Sequence, residues 1–207
     1  MIRVCVLGSI ASGKSFISKL FNCPIFNADR EVIDIYKKDK NCFTKLNNKF
    51  PDYIKSFPVR KTELINAISS NNKSLKLISS IVHPIVRKRM KKFLKEKKNS
   101  KMIVLDIPLL LENKLNKKND VLVFVNAQKK KILARVKKRR YYDKRILKHL
   151  KQNQSNLFKK RKLANYVIDN NFAPNIMKQK VNLLKKKILY ERNSSWYRDN
   201  RIISKRR

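Results

Sequence analysis

Glycine is almost missing from this chain. Two residues of 207, Gly8 and Gly13, stand against a usual share of about 7%, so nearly every dispensable glycine is absent. Cysteine is scarce and odd in number. Cys5, Cys23 and Cys42 follow no metal or redox spacing, which sets aside a disulfide framework and fits buried or inert thiols in a reducing compartment. No apolar run approaches the ~18 residues that span a bilayer. The N-terminus reads at once as a strand, so no signal peptide is expected before it and a soluble, cytoplasmic protein is expected. Acidic residues are few: 14 Asp plus Glu face 53 Lys plus Arg, a net charge of +39. Such a balance commonly marks nucleic-acid binding. Here the charge is spread over 87–101, 129–140, 159–162 and 178–187, in a chain also rich in Asn, Ile, Phe and Tyr. Drift toward A- and T-rich codons accounts for that mixture, so most lysines read as solvated helix faces. The field still favours polyanionic substrates such as ATP, and nonspecific RNA attraction at low salt.

What is present explains where the two glycines went. Gly8-Ser9-Ile10-Ala11-Ser12-Gly13-Lys14-Ser15 is a complete G-x-x-x-x-G-K-[ST] phosphate-binding loop. Both glycines lie where the backbone turns tightly and approaches a phosphate, which a residue without Cβ does at no steric cost. The apolar run 2–7 reads as a buried strand and 14–20 as the first turns of a helix. Strand, loop and helix N-terminus aim backbone N–H groups and the positive end of a helix dipole at one point. Gly8, Ala11, Ser12, Gly13, Lys14, Ser15 and Phe16 are the candidate ATP-binding residues. Lys14 reaches the β- and γ-phosphates and the Ser15 hydroxyl ligates Mg²⁺.

The rest of the chain reads as α/β. A short second strand at 24–26 ends at Asn27-Ala28-Asp29. From Arg30 to about Leu94 the pattern is helical, with expected breaks near Pro51, Pro58 and Pro84. This stretch interrupts the alternation, and residues 30–101 are assigned as a helical substrate-binding insert. Strands follow at 102–106, 121–125 and 166–169, with basic helical stretches at 129–138 and 144–151. A long helix starts near Pro174, which suits the first helical position, and residues 193–207 form a basic tail expected to fray. Five strands alternating with helices imply a parallel sheet covered on both faces, with ligands at the carboxyl ends of the strands. Asn27, Asp29, Asp106 and the phosphate loop all fall at that edge.

A phosphate loop alone does not separate kinases from ATPases, GTPases or helicases. No N-K-x-D guanine-reading motif occurs between Val121 and Arg140, which argues against a GTPase. A carboxylate closely following strand two favours a small-molecule kinase. The chain resembles the dephospho-CoA kinase family through an ordered set of short motifs. The family's D-A-D matches Asn27-Ala28-Asp29, its H-P pair matches His83-Pro84, and its P-L-L-x-E matches Pro108-Leu109-Leu110-Leu111-Glu112. Two lid arginines four apart match Arg135 and Arg139, a glutamine matches Gln154, and the ending A-D-x-V-I-D-N matches Ala164-Asn165-Tyr166-Val167-Ile168-Asp169-Asn170.

That resemblance implies a three-layer P-loop kinase fold with a five-stranded parallel sheet, a helical insert and a helical lid at about 129–163. The core would comprise 1–29 and 102–192. It implies ATP-dependent phosphorylation of the 3′-hydroxyl of dephospho-CoA, with Mg²⁺ accompanying ATP and no membrane partner. Asp29 matches the carboxylate that takes the hydroxyl proton, and it also suits the cap of a helix starting near Arg30. Arg139, then Arg135, would stabilise the transferring phosphoryl, although some charges in this basic neighbourhood must be merely solvated. Asp106 would hold a Mg²⁺-bound water or stand as an ordinary strand-end carboxylate. His83 is a possible substrate contact or a structural residue at a helix boundary. Glu112 matches an acidic position near the substrate, with a salt bridge to a lysine as the alternative. Lys61 stands near an arginine of the family's insert, and can meet a phosphate as a point charge.

The departures carry expectations of their own. Ser9 and Ala11 replace glycines of the phosphate loop, so neither should need a positive φ. Phe172 stands where a glycine follows the Asn pair, and Asn171 is expected to take the left-handed conformation instead. Two rival readings are another P-loop small-molecule or nucleoside monophosphate kinase, and a basic nucleic-acid-binding protein with a structural ATP site.

Overall fold

A computed structural model describes residues 1–137 and 157–193. The strands are β1 (Ile2–Gly8), β2 (Ile25–Asn27), β3 (Met102–Asp106), β4 (Val121–Asn126) and β5 (Tyr166–Asp169). The helices are α1 (Lys14–Leu20), α2 (Ala28–Lys38), α3 (Lys40–Lys49), α4 (Lys61–Ser70), α5 (Ser74–Glu96), α6 (Lys129–Lys137), α7 (Leu157–Leu163) and α8 (Pro174–Asn193). The strands form one parallel sheet in the order β2-β3-β1-β4-β5. The fold is that α/β architecture, with β1 at the centre of the sheet.

Strand alternation distributes the core. Val4 and Val6 of β1, with Met102 and Val104 of β3, join Ile17 of α1, Phe21 just after it, and Met177, Val181 and Ile188 of α8 in one cluster. The intervening Cys5, Leu7, Ile103 and Leu105 face the opposite side and pack with Phe26, Met90, Leu110 and Phe124. A period of two therefore feeds both faces from a continuous apolar run, as a doubly covered parallel strand requires. Each large side chain fully buried in this way contributes about 1.5–3 kcal/mol. Arg3 is the exception within β1. It forms a buried ion pair with Asp120, Nε to Oδ1 at 3.0 Å, and Nη2 donates to Oδ2 at 3.0 Å.

Between β2 and β3 the chain builds a separate helical cluster around Ile35, Leu46, Ile54, Ala67, Ile78 and Val82. Asp39 caps α3 by accepting from Cys42 N at 2.9 Å. Within this cluster, Arg89 of α5 is tied to α2 through Glu31 at 3.1 Å and Asp34 at 2.6 Å.

Three local expectations are corrected. Pro84 does not end a helix but lies inside the 23-residue α5. The buried face of that helix runs through Ile78, Val82 and Met90 on both sides of it, and tertiary packing outweighs the missing hydrogen bond. Ala11 has φ 60°, so this loop position does enter the left-handed region without a glycine. At the β5–α8 turn Phe172, with φ 65°, takes the left-handed conformation expected of Asn171. The expected helix at 144–151 and the frayed tail beyond residue 193 lie outside the described residues.

Candidate active site

The parallel register brings the site's parts to one edge. Gly8 stands beside Val125 and Asn27 beside Asp106 at the carboxyl ends of their strands. Gly8, φ 147°, and Gly13, φ 96°, bracket the turn. A Cβ on Gly8 would meet the Val125 carbonyl at 2.7 Å, and one on Gly13 would meet Asn170 Nδ2 at 2.3 Å. That Asn170 amide donates to Ser12 O at 2.8 Å from a buried position. The clamp holds the phosphate loop against the β5–α8 turn. Lys14 Nζ donates to Ser9 O at 2.8 Å and Gly8 O at 3.2 Å, which holds the ammonium over its own loop. No side chain caps α1 at Gly13, so its first-turn N–H groups and dipole face the cleft.

One cleft of about 430 Å³ gathers Ala11, Gly13, Lys14, Ser15 and Phe16 on one wall with Asp29, His83, Asp106 and Arg135. Asn27, not Asp29, caps α2: Asn27 Oδ1 accepts from Arg30 N at 2.8 Å. Asn27 Nδ2 donates to Asp106 Oδ2 at 2.6 Å. Asp29 stands in the first turn of α2 and lines the cleft. Asp106 is almost fully buried. Arg135 lies with its guanidinium carbon 4.5 Å from the centre of the Phe172 ring. Burial, and then the charge of Arg87, hold the His83 imidazole below its ordinary pKa.

Other expected site residues stand elsewhere. Gly8 and Ser12 are buried beneath the loop surface. Lys61 is exposed at the start of α4 and is not among the residues that line the cleft. Glu112 pairs with Lys160 at 2.6 Å, and Lys160 is only 2% exposed. The stretch 159–162, read as solvated charge, thus contains a buried cation. Its partner lies far away in the chain, beyond the reach of local pattern. Arg139 and Gln154 lie outside the described residues. Arg87, which also lines the cleft, escaped the sequence reading. Its signal was the spacing of four from His83, which puts both on one helix face. Asn170 matched a motif, but its clamp on Ser12 had no local signature.

Among the described residues no group of three or more His, Cys, Asp or Glu is placed to hold a metal ion. Among the same residues no helix is long and apolar enough to cross a membrane. Cys5 and Cys42 are buried and free. Burial, followed by the nearby Asp120, pushes the Cys5 thiol far up, and burial pushes Cys42 up to about 11, so both stay protonated.

Residues 2–175 match the family model for dephospho-CoA kinase. A dephospho-CoA kinase from Wolbachia pipientis wMel is 32% identical over 171 residues, covering 80% of this chain and 87% of the relative. One from Bartonella henselae is 32% identical over 167 residues, covering 78% and 85%. In fold, the chain is similar to the crystal structure of TT1252 from Thermus thermophilus, with a TM-score of 0.72 at 23% identity over 93% and 98% of the two chains. It is likewise similar to dephospho-CoA kinase from Campylobacter jejuni, with a TM-score of 0.62 at 20% identity over 90% and 96%.

Proposed function

The chain belongs to the dephospho-CoA kinase family, and we propose that its cleft transfers the γ-phosphoryl group of ATP to the 3′-hydroxyl of dephospho-CoA, releasing CoA and ADP. The observation that carries this reading is the convergence of the phosphate loop, Asp29, Asp106 and Arg135 on a single cleft. ATP sits with its phosphates on the loop and the N-terminus of α1. Asp29 faces the acceptor. Its carboxylate orients the ribose hydroxyl and takes the proton as the oxygen bonds to phosphorus. The bond from phosphorus to the bridging oxygen breaks, and its electron pair leaves on ADP.

Little covalent chemistry falls to the protein in such a transfer, and positioning and charge neutralisation dominate. Lys14 supplies one cation, and Arg135 is the cation of α6 that reaches the cleft. Asn27 takes the capping role at the start of α2, and Asp29 lines the cleft beside it.

The donor set fits Mg²⁺. Ser15 Oγ and the Asp106 carboxylate offer hard oxygens in the same cleft, and this ion takes one or two protein ligands with water and substrate phosphates completing its shell. Ser15 would bind it directly and Asp106 through a water. Bound with ATP, Mg²⁺ neutralises charge on the β- and γ-phosphates. We assign 30–101 to the acceptor side, where His83 and Arg87 line the cleft, and 129–163, of which 138–156 lie outside the described residues, to a lid that excludes water.

The test is ADP release from Mg-ATP with and without dephospho-CoA, with CoA followed by mass. Dependence of ADP release on dephospho-CoA, with CoA formed in step, supports the reading. Release indifferent to dephospho-CoA would contradict it.

A further inference from the structure

Phe172 adopts φ 65°, a region where a bulky side chain is strained and a glycine would not be. A strained residue persists where its surroundings over-determine it, and here they do. Phe172 N donates to Asn170 Oδ1 at 2.9 Å, while Asn170 Nδ2 donates to Ser12 O at 2.8 Å. From the other side, Lys131 Nζ of α6 donates to Asn171 O at 3.3 Å. The strap 170–172 is therefore bonded to the phosphate loop and to α6 at once. Its aromatic ring occupies the space between them. Ring atom Cε1 lies 3.4 Å from where a Cβ on Gly13 would stand, and the Arg135 guanidinium lies 4.5 Å from the ring centre.

Arg135 projects from an exposed position of α6, where a long side chain would otherwise sample many rotamers. A ring beneath it selects one placement, in the cleft that Gly13 and Lys14 also line. A cation held over a ring face by its central carbon keeps N–H donors on its periphery for phosphate oxygens. We propose that Phe172 is a positioning residue: its ring seats Arg135 over the phosphate loop in advance of ATP. The proposal rests on the reading of this cleft as the ATP site and of Arg135 as a phosphate contact. A glycine at 172 would make the same turn without strain but would leave Arg135 unseated.

Steady-state kinetics on the full chain test this with Phe172→Gly, Phe172→Tyr, Arg135→Ala and the double variant Phe172→Gly/Arg135→Ala. Phe172→Gly is expected to melt no lower than the parent, yet to lose about tenfold in kcat/KM for ATP. KM for dephospho-CoA should stay unchanged, and Phe172→Tyr should restore kcat/KM for ATP. In the Arg135→Ala background, Phe172→Gly should cost nothing further. An equal loss with and without Arg135 would overturn the proposal, as would no loss at all in a chain where Arg135→Ala is costly. If Arg135→Ala itself leaves kcat/KM for ATP intact, the assignment of Arg135 fails first and the proposal falls with it.

Discussion

Asn27 and Asp106 are joined twice, as register partners at the ends of β2 and β3 and by a 2.6 Å hydrogen bond from Asn27 Nδ2 to Asp106 Oδ2. The other end of the same amide caps α2. One side chain thus fixes a buried carboxylate and the start of the helix that carries Asp29. An aspartate at 27 would keep the cap but would set two carboxylates within hydrogen-bond distance, which cannot both ionise without a cation between them. Asn27→Asp is therefore expected to melt lower than the parent without Mg²⁺ and to recover part of the loss when Mg²⁺ is added. Asn27→Ala should lose about 2 kcal/mol from the missing cap and the carboxylate's lost partner, with no such recovery. Thermal melts with and without Mg²⁺ check both.

Asn27 and not Asp29 caps α2, so a substitution at 29 leaves that cap in place. Asp29→Asn should fold and bind ATP normally but lower kcat by about two decades or more. A melt, an ATP titration and a turnover assay on one preparation separate these effects. Near-normal turnover would remove Asp29 from the mechanism.

Of the two glycines, Gly13 has the less room for a side chain. Gly13→Ala would drive a Cβ to 2.3 Å from Asn170 Nδ2 at φ 96°, and must displace the clamp on Ser12. A loss of about 2 kcal/mol or more is expected, together with loss of ATP binding. Asn170→Ala, which removes the clamp without the clash, should weaken ATP binding while keeping more stability. Urea melts and nucleotide titrations distinguish the two.

These cases show where the sequence was legible. Strand periodicity placed β1, β3, β4 and β5 within a residue or two, because runs buried on both faces carry their own signature. The phosphate loop and Asp106 could be found for a similar reason: each sits at the end of such a run. Asn27 and Asp29 are two residues apart and both suit a cap, so only geometry assigns the duty. Pro84 misled because a local rule met a helix packed on either side of it. The pairs Glu112–Lys160 and Arg3–Asp120 were invisible because no local pattern reports a contact made across the fold. The turn at Phe172 went unread because a bulky residue is the wrong guess for a left-handed position.

His83 gives the cleft a pH signature. Burial and the Arg87 charge disfavour its charged form, so its pKa in the folded chain lies below the 6.5 of the free group. Between those two values the unfolded chain binds more protons, and stability rises with pH. The contribution is complete above about pH 6.5 and is lost as the pH falls. Melting temperatures followed from about pH 7 down to about pH 5 should decline less steeply in His83→Gln than in the parent.

The most direct measurement is ³¹P NMR of the products formed from Mg-ATP and dephospho-CoA. One new phosphomonoester, coupled to the ribose 3′ proton and matching ADP in amount, is the predicted result. A phosphate at another position, or inorganic phosphate accumulating with ADP while dephospho-CoA stays unchanged, would contradict transfer to that hydroxyl.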